Sequence, residues 1–393
     1  MVRMGVCLLC ITLFACTAGD SDQPDQEAGS GTPPISNSSQ ASPTPTAVNP
    51  TIAPSPVATL PATAECRGLG PPRKETEITY IQDGRLVATS PDNTSPSCLA
   101  NLTNADVEFS SPNWNASATR VIVGNSAISR NLSRTPLLAK TNVDWSRPKG
   151  TSVVFITKNG RLLKRSSYGG AAIDISFLAR HDDVTYHPAG THIVTTGEST
   201  NGSYGLWLAT NEGTKRQLLA RGENAHEISM LTFKHDGESL FFSADHGHVH
   251  HLHRLRLPGD RGTGLDTLDK SERGYSHIAV SPFGGRLAWT EAGNCATGIP
   301  GTLHFGGPPW KALVTDGSGL DGRTLEARGW LPGRKLLVAS RATGCSVQPE
   351  NVFVLSEESP RMIATSEDPG FATVRAPLPP PPPPPKRKQE VEA

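Results

Sequence analysis

One pattern of apolar and polar positions recurs along the middle of the chain. An apolar or aromatic residue is followed by two to four turn residues, usually containing Pro or Gly, and then by a run rich in β-branched residues and Leu. It reads PNWNASATRVIVG at Trp114, VDWSRPKGTSVVFI at Trp145, VTYHPAGTHIVTT at Tyr186, LTFKHDGESLFFS at Phe233, IAVSPFGGRLAWT at Val280 and RGWLPGRKLLVAS at Trp330. Successive anchors lie 31, 41, 47, 47 and 50 residues apart. Each instance predicts a hairpin: a strand ending in the anchor, a tight turn, then a strand buried on both faces. Helical periodicity is weak throughout.

A spacing of about 40 to 50 residues accommodates four short antiparallel strands per unit. Units of this kind hide their sheet faces by stacking radially, with the anchor between neighbours, which predicts an all-β propeller of four-stranded blades. The stretch ITYIQDGRLVAT, from Ile78 to Thr89, repeats the second and third strands seen in VVFITKNGRLLKR, each around an Asp-Gly or Asn-Gly turn of expected type I′. It therefore belongs to a further unit whose inner strand is missing upstream. The segment Gly370 to Arg375 is the expected supplier, giving seven blades closed by strands from both ends; six blades is the alternative.

These units resemble the TolB-type propeller repeat, whose core reads roughly xxPxWSPDGxxIxFxS, often after a segment ending Leu-Thr. Leu102-Thr103 in CLANLTNADVEFSSPNW reproduces that element, and the resemblance extends over nearly all of residues 77 to 370. Three departures stand out. Asn115-Ala116-Ser117-Ala118 has lost both Pro and Gly, Val280 replaces the aromatic, and proline two residues after the anchor survives at Pro188, Pro282 and Pro332. The resemblance implies a binding or scaffold module for a protein, peptide or glycan; in the related propellers of the prolyl oligopeptidase family the chemistry lies in an appended hydrolase domain.

The 393 residues divide into a signal segment (1–15), a Ser/Thr/Pro-rich tether (16–65), the repeat domain (66–376) and a tail (377–393) with the proline run Pro379 to Pro385. The apolar run from Gly5 to Phe14 has the length of a signal-peptide core and is too short to span a bilayer. Leu13-Phe14-Ala15-Cys16 resembles the bacterial lipobox, which implies acylation at Cys16 and anchoring in the cell envelope. By the sorting rule of enterobacterial lipoproteins, Thr17 implies the outer membrane. The expected partners are thus the membrane, through the anchor, and an envelope protein, peptide or glycan, with the chain itself a monomer.

Lys plus Arg equals Asp plus Glu at 37 each, so no long-range field favours nucleic acid, and no nucleic-acid partner is expected. Cys66, Cys98, Cys295 and Cys345 remain outside the leader and lipobox, and four cysteines in an exported domain suggest two disulfides, paired here as Cys66–Cys98 and Cys295–Cys345. Five of the 12 histidines crowd into DHGHVHHLHR. On a strand, His246, His248 and His250 would share one face and form a candidate metal site, against the plainer reading of solvated residues on an outer strand. No hydrolase elbow, zinc-protease helix or phosphate loop is present, so no catalytic residue is assigned and no cofactor is expected. The enzymatic alternative is a metal-dependent polysaccharide lyase or hydrolase whose channel is lined by histidines from among His187, His235, His246, His248, His250 and His277; it requires three of these to converge.

Overall fold

The computed structural model describes residues 60–378, apart from 74–75, 93–95, 104–111, 138, 223–227, 258–264, 284, 295–296, 307–310, 314–322, 343–349, 356–359 and 367–371. The described residues form seven four-stranded antiparallel sheets. Blades 2 to 7 are simple meanders whose innermost strands are Asn113–Trp114, Ala139–Trp145, Arg180–Tyr186, Ile228–Phe233, Tyr275–Val280 and Arg323–Leu331. Each of the six predicted anchors stands at or next to the C-terminal end of one of these strands.

Blade 1 is composite. Glu77–Gln82, Arg85–Thr89 and Ser97–Asn101 supply three strands, and Thr373–Arg375 pairs with the first of them through Glu77↔Arg375, Ile78↔Val374 and Thr79↔Thr373. The ring is thus closed by both ends of the domain, with seven blades, as the repeat analysis expects.

The core explains why the strands read as unbroken apolar runs. Buried side chains form seven clusters, and each lies between two successive blades around the ring. In Ser152–Thr157, Val153 and Phe155 pack towards blade 2, while Val154 and Ile156 pack towards blade 4. Period-2 alternation directs both sets into apolar surroundings, so no polar face is needed. Anchor tryptophans add a directed bond across three of these interfaces. The Trp145 indole N–H donates to the Asn113 carbonyl (2.8 Å), Trp330 to the Ala279 carbonyl (3.1 Å) and Trp114 to Thr79 Oγ1 (2.8 Å).

Of the two turns expected to be type I′, one is and one is not. Asp83 and Gly84 both have positive φ, the type I′ geometry foreseen for that hairpin. Around Asn159-Gly160 only Gly160 does, and Thr157 N–H bonds to the Arg161 carbonyl, so Lys158, Asn159 and Gly160 form a three-residue loop and not a type I′ turn. At the degenerate repeat after Trp114, the Asn115 side chain replaces the lost Pro and Gly. Its Oδ1 accepts from the N–H groups of Thr119 and Arg120, holding Ala118 at a φ of 55° where glycine is usual.

The described chain begins at Leu60, within the stretch read as tether; Leu60 is buried in the cluster between blades 7 and 1. At the other end, Leu378 N–H bonds to the Ala116 carbonyl. The signal segment, Cys16, residues 16–59 of the tether, Cys295, Cys345 and the proline run lie outside the described residues. No helix among the described residues is long and apolar enough to cross a membrane.

Candidate functional site

The innermost strands surround a central cavity of about 770 Å³, lined by residues of blades 2 to 6 and by Leu378. An innermost strand has one ladder edge with no fifth strand to pair with, so its N–H groups need other acceptors. Carboxylates from the preceding blade supply them. Asp144 Oδ2 accepts from Tyr186 N–H (2.8 Å) and Thr185 Oγ1 (3.1 Å), and Asp183 Oδ2 accepts from Leu231 N–H (3.2 Å). A bulge shifts the register between Ser229 and Thr232 and holds Met230 at a φ of 59°, next to Leu231. Burial pushes the Asp183 carboxyl up to about 6, hydrogen bonds from Leu231, Val184 and Met230 pull it down, and the Asp144 charge adds to the rise.

The wall carries Asp144, Asp182 and Asp183 against Arg147, with imidazoles at His235 and His277. Blades 6 and 7 meet through a small ionic group. Arg328 Nη1 donates to His277 Nε2 (3.1 Å), Arg328 Nη2 pairs with Glu326, and His277 Nδ1 lies 3.8 Å from Glu326 Oε2. The channel therefore offers mixed acceptors and donors on a partly apolar wall, the make-up of a recognition surface.

The histidine-rich segment folds differently from its expected form. The second strand of blade 5 ends at Asp245 and the third begins at His250, so His246 and His248 sit in the turn and cannot alternate with His250 along a strand. His250 instead turns towards Asp245, 4.0 Å away, and packs near Gly274. The period-2 rule operates one residue later, on His251 and His253, and the turn carries His246 back over them. Ring centroids are 4.2 Å apart for His246 and His251, 5.4 Å for His251 and His253, and 5.7 Å for His246 and His253. The gathered set is His246, His251 and His253, in place of His246, His248 and His250.

Of the six histidines considered for a catalytic channel, His235 and His277 line it, while His187 bonds to the Gly237 carbonyl (3.2 Å) between blades. The histidine trio lies on the outer half of blade 5, away from the channel wall. Cys66 and Cys98 form a disulfide, and the Arg67 and Gly68 N–H groups bond to the Cys98 and Leu99 carbonyls, laying this segment along the outermost strand of blade 1.

A search for aromatic anchors passes over Arg375, which holds the anchor position of blade 1. It is fully buried and stacks over the Trp114 ring at 4.3 Å, and its Nε–H donates to the Ala118 carbonyl (3.0 Å). The available signal is Pro377, two residues on, matching Pro188, Pro282 and Pro332.

No family model and no curated protein matches the chain. Among solved structures, the chain is similar to a putative TolB from Agrobacterium tumefaciens at 12% identity and a TM-score of 0.45, over 77% of this chain and 98% of that one. TolB from Acinetobacter baumannii aligns at 15% identity and 0.42, over 76% and 65%. An oligogalacturonate lyase in complex with manganese aligns at 11% and 0.49, over 70% and 83%. The assignment as a seven-bladed β-propeller rests on the strand pairings and interblade clusters of this chain itself.

Proposed function

We propose that this chain is a binding module held at the cell envelope by an acylated Cys16, recognising a protein or peptide segment through its central channel. The channel carries the reading: about 770 Å³, walled by five blades, with the carboxylates of Asp144 and Asp183 outnumbering Arg147, while Asp182 is paired with Arg180. Such a wall favours a donor-rich, cationic segment over an anionic one. The Ser/Thr/Pro-rich stretch ahead of Leu60 is long enough to hold the ring clear of a membrane surface. The enzymatic alternative is not favoured, because the histidines that gather stand outside the channel.

The test places a photo-crosslinking residue at Pro282, on the channel wall, and in a separate chain at Ile173, on the outer edge of blade 3. Both are expressed in the native envelope. Capture of a discrete protein from position 282 and not from 173 supports the reading. Equal capture from both, or none from 282, overturns it. Cys16→Ala, followed by membrane fractionation and acyl labelling, tests the anchor separately.

A further inference from the structure

We propose that His246, His251 and His253 form a binding site for one divalent transition-metal ion of the zinc class, with three imidazole ligands and a fourth position facing solvent. The strongest argument is distance. Ligand nitrogens at 2.0–2.1 Å from a tetrahedral ion stand about 3.3–3.4 Å from one another. The Nε2 atoms of His246 and His253 are 3.4 Å apart, and one nitrogen from each of the three rings falls within a common span of 4.8 Å.

The groups around the trio suit ligation. His253 is buried, with the rings of His251 and His246 packed against it at 5.4 and 5.7 Å between centroids. Its other nitrogen, Nδ1, lies 3.3 Å from Thr267 Oγ1 on the adjacent strand, an outer contact that orients the ring and leaves Nε2 facing the other two. A register shift between Leu252 and His253 puts Thr267 directly opposite His253. The three rings also differ in exposure: His253 is buried, His251 half-buried and His246 exposed, which sets the open position at the surface. Neutral nitrogen ligands select zinc, copper or nickel over calcium or magnesium. One neighbour opposes a cation: Lys270, across the strand pair from His251.

The site differs from adventitious binding by a histidine-rich sequence in one respect. A flexible HGHVHHLH segment would use any of its five imidazoles, whereas the folded hairpin selects positions 246, 251 and 253 and turns His248 and His250 elsewhere. The experiment uses the full chain without a histidine tag, stripped with chelator and titrated with Zn2+ by calorimetry and with Co2+ by visible absorption. The expected result is one ion per chain and an intense tetrahedral Co2+ band. His246→Gln and His251→Gln should each weaken Zn2+ binding about tenfold or more, while His248→Gln leaves it unchanged. Lys270→Gln should tighten it severalfold, and Thr267→Val should weaken it roughly tenfold with the fold intact by thermal melting. Unchanged affinity in His246→Gln and His251→Gln overturns the proposal. So does a loss in His248→Gln equal to theirs, or a synthetic peptide spanning residues 244–254 that binds as tightly as the chain.

Discussion

Arg375 Nη1 lies 2.7 Å from Glu77 Oε2, joining residues 298 positions apart in the one blade that draws strands from both ends of the domain. Glu77 also takes Arg67 Nη2 at 2.6 Å, so one buried carboxylate is shared by two guanidinium groups. Burial lowers Arg375 to about 10 while Glu77 pulls it back up, and its remaining N–H groups reach the carbonyls of Ala118 and Gly70. Removing one partner of such a pair leaves a buried charge uncompensated. Glu77→Gln or Arg375→Met is expected to cost about 3–5 kcal/mol in chemical denaturation. The double variant should cost less than the sum of the two, and a strictly additive result would count against the pairing.

His181 should make the fold labile to acid. It is buried, its Nε2 faces the Phe177 and Leu178 N–H groups (3.3 and 3.2 Å), and its Nδ1 lies 3.1 Å from Thr195 Oγ1. Accepting two backbone bonds requires a neutral Nε2, and burial pushes the ring down to about 4. Between that value and the unfolded value near 6.5, the unfolded chain binds the extra proton, so stability falls as pH drops from about 6.5 to 4. The contribution is up to about 3 kcal/mol. Melting temperatures of the wild type and His181→Gln across that window check it: the variant starts lower and declines less steeply.

Asp183 works in the opposite direction. Its carboxyl is raised to about 6 in the fold, so the folded state holds the proton more tightly and stability declines as pH rises from about 4 to 6. Asp183→Asn removes that decline while retaining an oxygen to accept from Leu231. Its stability relative to wild type is expected to improve by about 2 kcal/mol between pH 4 and pH 7 in urea titrations.

Reduction of the Cys66–Cys98 bridge opens a link spanning 32 residues, worth about 3–4 kcal/mol by loop entropy. The damage should concentrate in blade 1, where residues 66–68 line the outermost strand. Hydrogen exchange on the Cys66→Ser/Cys98→Ser variant checks this, with faster exchange at Ser97–Asn101 and little change at Ile228–Phe233.

Gly190 has a φ of 72°, and a Cβ there would lie 1.8 Å from the Arg147 carbonyl oxygen of the neighbouring blade. Because the obstacle is backbone, Gly190→Ala should cost more than about 2 kcal/mol, against a small effect for Gly298→Ala, which has a similar φ and open space. Thermal melting of the two variants separates clash from conformational preference.

Most of the architecture is legible in the repeats because each blade needs the same three things: an anchor between neighbours, a tight turn, and a strand buried on both faces. Even the closing strand is found by subtraction, since Ile78 to Thr89 has no inner partner upstream. The channel is much less legible. Asp144 and Asp183 look like ordinary polar positions until the bulges of the inner strands are known, because their role is to accept bonds from the next blade. The histidine trio fails for a narrower reason. Period 2 is right, but the phase depends on where the strand begins, and the turn after Asp245 sets that.

The closing strand, Thr373–Arg375, also imposes an order in time. A ribosome delivers the chain from its N-terminus, so six blades can stack while blade 1 still lacks its inner strand and Trp114 its guanidinium lid. Completion waits on the last three strand residues to emerge. A chain cut short before Arg375 would carry almost all of the domain's mass and an unsealed ring, with strand Glu77–Gln82 open along one edge.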